Sequence, residues 1–214
     1  MIDKKNPTIV QMIAVLLVVA AVCSAGVAAV YAMTKDTIAE TNAKKLQKSL
    51  SEVLPQYDAT DTLTITTGDG KAFCYIAKKD GATVGYAIKT SNTNGYNGLV
   101  EVLTGFDKDG KIINTSATVL NETPGLGQKA LEPKFADQFK GFEPSKKTLK
   151  VKKDGGDVDA ISAATITSRA YTLAVQQAFN ALQTHLGNKV DTNSGATSSA
   201  NKNADEREID NDKK

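Results

Sequence analysis

The sequence predicts an α+β protein: one N-terminal transmembrane helix, then a single domain with a mainly antiparallel sheet and flanking helices. Three observations carry this expectation. No residue from Ile9 to Met33 is charged. Residues 63–120 are short β-branched and aromatic runs separated by glycine-containing turns. Further on, Tyr171, Ala174, Val175, Ala178, Leu182 and Leu186 recur at helical spacing and form one apolar stripe. With 214 residues, 41% hydrophobic and 23% charged, the chain has apolar material for one packed domain beyond the first helix.

The uncharged stretch, 25 residues dominated by Val, Ala, Leu and Ile, follows a short segment, residues 1–8. At about 1.5 Å per residue it reaches roughly 37 Å, enough for a hydrocarbon core of about 30 Å with some tilt. A cleaved signal peptide has an apolar core of only about 7–15 residues, so the span at 9–33 is expected to stay in the mature protein. Val22 stands where a lipoprotein would need a small residue before Cys23. Lys4 and Lys5 lie on one flank, and Lys35, Lys44, Lys45 and Lys48 on the other. That count leaves the orientation open.

Ile38, Leu46, Leu50, Val53 and Leu54 continue at helical spacing up to Pro55, which predicts a helical connector over 34–57. The domain is expected over 58–190. Its candidate strands are residues 63–67, 72–77, 83–89, 99–106 and 112–120. The links Gly68-Asp69-Gly70, Lys79-Asp80-Gly81 and Lys108-Asp109-Gly110 are turn signals between antiparallel neighbours. A helix at 131–139, a last strand near 149–151 and a final helix from about Thr167 to Leu186 complete it. Residues 191–214 are rich in Asn, Ser, Lys, Asp and Glu, with Ile209 as the one large apolar residue, the composition of a disordered tail.

Composition excludes several functions. Lysine plus arginine number 26 against 24 acidic residues, a formal charge of +2, which gives no general basis for nucleic-acid binding. One histidine and two cysteines cannot build a four-ligand zinc site or a cysteine-ligated iron–sulfur cluster within the chain. A Ser-His-Asp hydrolase would have to use His185, and the one Ser-x-x-Lys, Ser199 to Lys202, lies in the tail; nucleophile activation needs a positioned base. Nor is there a disulfide framework, with only Cys23 in the span and Cys74 in the domain.

Two segments carry chemistry. Glu122-Thr123-Pro124-Gly125-Leu126-Gly127 follows the last strand of the run, and its two glycines describe a loop whose backbone approaches something closely. Gly125 to Ala130 formally matches a dinucleotide fingerprint, but Lys146, Lys147 and Lys150 lie where an acidic residue is wanted, and the parallel βαβ pattern is missing. A plain glycine turn explains the segment equally well. In Asp159-Ala160-Ile161-Ser162-Ala163-Ala164-Thr165-Ile166-Thr167-Ser168, four hydroxyls crowd a helix start. An N-cap uses one or two of them. The alanines leave room for a bulky group, and a helix N-terminus is a seat for phosphate.

Both segments, in this order, resemble the FMN-binding domain of the G subunit of Rnf-type electron-transport complexes, a relative of the C subunit of the sodium-pumping NADH:quinone reductase. The likeness extends to the N-terminal span, to Val84-Gly85-Tyr86-Ala87 and to Gly95-Tyr96-Asn97-Gly98. In that family Asp-x-x-Ser/Thr-Gly-Ala-Thr marks where a flavin transferase esterifies FMN phosphate to the threonine. Asp159, Ser162, Ala164 and Thr165 match, so Thr165 is the implied anchor of a covalent FMN. Ala163 replaces the usual glycine, a change that matters if the loop needs positive φ there.

The resemblance implies a flavin bed formed by Glu122, Thr123, Pro124, Gly125, Leu126 and Gly127, with Pro124 to Gly127 against the isoalloxazine. Asp159, Ser162, Ala163, Ala164, Thr167 and Ser168 surround the anchor. It further implies an electron carrier, not a catalyst on its own, working with other membrane subunits of an Rnf-type complex and matured by a flavin transferase. The N-terminus would be cytoplasmic and the flavin domain extracytoplasmic. The competing expectation is a membrane-anchored binding or scaffold domain of the same fold without flavin.

Overall fold

The computed structural model describes residues 9–68 and 70–188. The expected N-terminal segment 1–8, Asp69 of the first turn, the last two residues of the expected domain and the tail 191–214 lie outside the described residues.

Helix α1, Ile9–Val53, is 45 residues long, about 67 Å at the α-helical rise. Among the described residues it is the one helix long and apolar enough to cross a membrane. The chain divides into two units after Leu46. Among the described residues the first is the exposed part of α1, uncharged up to Met33 and polar beyond it. The second begins at Gln47 and takes in the last turns of α1, where Leu50 and Val53 are buried. Pro55, which has no backbone N–H to extend the helix, follows the last α-helical bond, from Leu54 N–H to the Leu50 carbonyl at 3.0 Å.

The second unit is built on an antiparallel meander. Strands β1 (Ala59–Thr67), β2 (Gly70–Lys79), β3 (Ala82–Gly95), β4 (Gly98–Phe106) and β5 (Ile112–Leu120) pair in sequence order. Each link is short, as the glycine-containing turn signals require. Gly95 pairs with Gly98 across a two-residue turn that leaves Tyr96 at its tip, 73% exposed.

Alternation of side chains gives the sheet two faces. On one, Cys74, Ile88, Val102 and Phe106 are buried against helix α3 (Thr165–His185) through Ala174, Val175, Ala178 and Leu182. Leu186 leaves this stripe and is 41% exposed. On the other, the end of α1 packs so tightly that Gly105 has no room for a β-carbon beside the Val53 carbonyl. Asn114 Nδ2 donates to the Glu52 carbonyl at 3.0 Å and seals the contact.

Two elements differ from expectation. The helix expected over 131–139 is three short pieces: a 3-10 turn Gly127–Leu131, helix α2 (Pro133–Ala136) and a 3-10 turn Asp137–Phe139. Pro133 forces its predecessor Glu132 into an extended conformation, φ −77° and ψ 145°, and so restarts the helix. The strand near 149–151 reduces to a single parallel bridge between Val151 and Val158, because Gly155 at φ +78° turns the chain back at once. Phe135 and Phe139 from the broken segment pack edge-on and tilted against Tyr171 of α3. The phenol of Tyr171 donates to Thr115 Oγ1 at 2.9 Å, and burial pushes its pKa up to about 12.

Candidate functional site

The loop after β5 is a tight turn. Thr123 accepts at its carbonyl from the N–H groups of Leu126 and Gln128, at 3.2 and 3.3 Å, and Gly125 supplies the left-handed residue at φ +75°. The turn returns Gly127 against the Glu122 side chain and the Thr167 hydroxyl, with no room for a β-carbon. Glu122 is buried, at 5% exposure, where Asn97 N–H donates to its Oε1 at 3.4 Å. Asn97 Nδ2 donates to the Asn121 carbonyl at 2.7 Å, tying the β3–β4 turn to this loop.

The second segment is held at both ends. Asp159 N–H donates to Gln138 Oε1 at 2.7 Å, and the Asp159 carboxylate pairs outward with Lys152 at 2.8 Å. At the other end Ser168 Oγ accepts from Ile161 N–H and donates to the Ala164 carbonyl, both at 2.9 Å. Ala163 between them takes φ +63°, the conformation for which glycine is the usual choice. No side chain caps the helix at Ala164. The first-turn N–H groups of α3 therefore have no intrahelical partner or side-chain cap. Arg169, one turn on, is clamped to Asp154 by two hydrogen bonds of 2.7 and 2.6 Å, which hold the Asp154 carboxyl below its ordinary pKa.

The two segments meet at a cleft of about 600 Å³, lined by Tyr96, Glu122, Thr123, Leu126, Gly127 and residues 163–167. That is within the roughly 300–1,000 Å³ of small-molecule sites. Of the residues singled out in the sequence, Glu122, Thr123, Leu126, Gly127, Ala163, Ala164, Thr165 and Thr167 line it. Pro124 and Gly125 stand at the exposed tip of the loop, outside the lining. Asp159 and Ser162 face a smaller cleft of about 170 Å³, beside Lys129, Phe135 and Gln138. Ser168 is fully buried and engaged with the backbone.

Tyr96 and Ile166, quoted in the sequence only as members of motifs and given no role at the site, join the lining. Their signals were an aromatic residue at a hairpin tip and a large apolar residue among hydroxyls. Gln138 had no sequence signal at all. The rim is apolar, with Tyr96, Leu126 and Ile166 each more than 40% exposed, while hydroxyls and free helix N–H groups gather at Thr165 and Thr167. This polarity fits a flat apolar ring that carries an anionic tail. The ring of His185, which a Ser-His-Asp hydrolase would have to use, packs edge-on against Tyr86 with the ring centroids 5.8 Å apart.

Comparison with known proteins agrees with that polarity. The FMN-binding domain family matches residues 95–180, and the RnfG N-terminal region matches residues 2–53. The G subunit of the Na+-translocating ferredoxin:NAD+ oxidoreductase complex of Acetobacterium woodii is 35% identical over 187 residues, 79% of this chain and 89% of that protein. The G subunit of the ion-translocating oxidoreductase complex of Escherichia coli K12 is 36% identical over 165 residues, 71% of this chain and 80% of that one. The crystal structure of Shewanella oneidensis NqrC aligns with 60% of this chain and 65% of its own at 20% identity and a TM-score of 0.40. With its span-bearing N-terminal region and its FMN-binding domain both matched, the chain belongs to the family of G subunits of ion-translocating oxidoreductase complexes.

Proposed function

We propose that this protein is a membrane-anchored electron carrier of an Rnf-type complex, with one FMN esterified through its phosphate to Thr165. One observation supports the anchor above others. Of the four hydroxyls near the start of α3, Ser162 faces away from the larger cleft, Thr167 and Ser168 are buried, and Thr165 lines the cleft while partly exposed. Maturation requires a flavin transferase and a flavin phosphoanhydride as donor. The Thr165 hydroxyl attacks the flavin-side phosphorus, forming an Oγ–P bond as the anhydride P–O bond breaks and the other half of the donor leaves as a phosphate monoester that carries away the bridging oxygen. The hydroxyl proton passes to a base of the transferase, and no electrons change hands.

The phosphoester then sits at the N-terminus of a 21-residue helix, where an anion is favoured by about 0.3–1 kcal/mol. FMN supplies the redox chemistry. The chain's own residues anchor it, line one side with Glu122, Thr123, Leu126 and Gly127, and leave an apolar rim for the ring. Tethering keeps the flavin's effective concentration high whatever its non-covalent affinity, which is what an extracytoplasmic carrier with a cytoplasmic N-terminus needs. Neighbouring proteins of the complex donate and accept the electrons.

Peptide mapping of protein from its native host tests this. The expected result is a mass increase of FMN minus water on the Thr165 peptide, lost in Thr165→Val and partial in Thr165→Ser. An unmodified Thr165, or a label on Thr167, overturns it. Protease applied outside intact cells should digest the domain, and protection of the domain would reverse the orientation.

A further inference from the structure

One side chain outside the larger cleft holds both backbone groups of one residue, Asp159, in the segment that leads to Thr165. Gln138 Oε1 accepts from Asp159 N–H at 2.7 Å, and Gln138 Nε2 donates to the Asp159 carbonyl at 3.3 Å. The same Nε2 lies 3.3 Å from the Phe135 carbonyl. Gln138 is itself fixed, since Phe135 and Phe139 on either side of it pack with Tyr171 in the core.

From Asp159 the chain passes through Ala163, at φ +63°, to Ala164, whose carbonyl accepts from Ser168 Oγ. Left-handed backbone is disfavoured for alanine, so a segment tethered only at its helix end would relax out of this shape. The Gln138 clamp opposes that relaxation at the far end. It lines the smaller cleft and not the one that Thr165 lines.

We propose that Gln138 is a positioning residue for flavin attachment: by clamping the Asp159 backbone on both sides of its α-carbon it keeps residues 159–164 in the shape that presents Thr165 to the flavin transferase, without itself touching Thr165. This rests on the attachment at Thr165 proposed above. Each hydrogen bond of this kind biases a local equilibrium by roughly two- to tenfold, and Gln138→Leu removes both.

The test uses full-length protein made without flavin, in detergent, with purified flavin transferase and FAD as donor. Gln138→Leu should take up flavin about tenfold more slowly than wild type, and the Asp159 amide should exchange with solvent faster by a similar factor. Gln138→Glu, which retains an acceptor for the Asp159 N–H, should recover part of both. Gln138→Asn, one methylene shorter, makes the same withdrawal if the leucine variant does not fold. Labelling of Gln138→Leu at the wild-type rate, or slow labelling with unchanged Asp159 exchange, overturns the proposal. Covalent flavin on Thr165→Val would instead overturn the attachment site, an outcome separate from failure of Gln138 alone, in which Thr165→Val stays unlabelled.

Discussion

Gly127 and Thr167 stand so close that a β-carbon on the glycine would lie 2.8 Å from the threonine Oγ1, and only 2.6 Å from Glu122 Cβ. The loop after β5 and the first turn of α3 are thereby locked together across one missing side chain, and the shape of the larger cleft depends on that lock.

Gly127→Ala should force the two segments apart. Overpacking of this kind costs about 1–3 kcal/mol, which should lower the melting temperature by several degrees and reduce flavin content. Gly125→Ala is the contrast: its β-carbon meets open space and only φ +75° opposes it, so stability falls modestly and flavin content holds. Thermal melts with flavin absorbance on both variants check this. Equal behaviour of the two would refute the lock.

Ala163→Gly should stabilise the domain. The left-handed conformation costs alanine about 1–2 kcal/mol, while glycine in the unfolded chain returns about 0.4–1 kcal/mol of that as entropy. The net expectation is a gain of up to about 1.6 kcal/mol, read in denaturant titrations. A loss of stability would mean that the loop does not hold φ +63° in solution.

Cys74 has no exposed surface, and burial pushes its thiol up to about 12. Thiolate is the reactive form, so a chromogenic disulfide should leave Cys74 unmodified in the native domain and label it on unfolding. The comparison is made on a Cys23→Ser background, so that one thiol is counted. Rapid native labelling would contradict the burial.

Acid should weaken the Asp154–Arg169 clamp. The hydrogen bonds from Arg169 lower the Asp154 pKa from its ordinary 3.8. A lowered folded pKa contributes stability at pH above 3.8 and loses it as the pH falls through the folded value below that. Asp154→Asn should therefore cost about 0.5–1 kcal/mol near neutrality, as expected of a partly exposed pair. It should also flatten the loss of stability below pH 4, about where the free carboxyl titrates. Identical acid limbs for the two proteins would remove the clamp from the account.

Where the chain obeyed a local period, its structure was legible. The strand expected at 112–120 is β5 as observed, and the other four strands contain their expected ranges and run beyond them, because alternation and glycine turns act between neighbours. Residues 131–139 misled because a helical apolar spacing spans Pro133, which interrupts the backbone bonds that spacing presumes. At the site, both chemistry-bearing segments were legible as motifs, since the glycines and hydroxyls are visible one by one. What could not be read was the facing of side chains. Asp159 and Ser162 belong to the same motif as Thr165 yet line a different cleft, and Gln138 reaches Asp159 only because three aromatic rings place its turn there.

The sequential strand order has a consequence in time. Each strand of the meander finds its partner next to it in the chain, so the sheet's loop closures are short and fast to form. Helix α3 is the late arrival: Thr90 reaches the Ala174 carbonyl and Asn92 the Ala170 carbonyl across most of the domain's length. The larger cleft needs that helix for one wall, and Thr165 stands on it. Before α3 docks, the cleft lacks that wall. Under the proposed attachment, a covalently bound FMN is therefore a receipt of completed folding, issued only to chains whose last helix has docked.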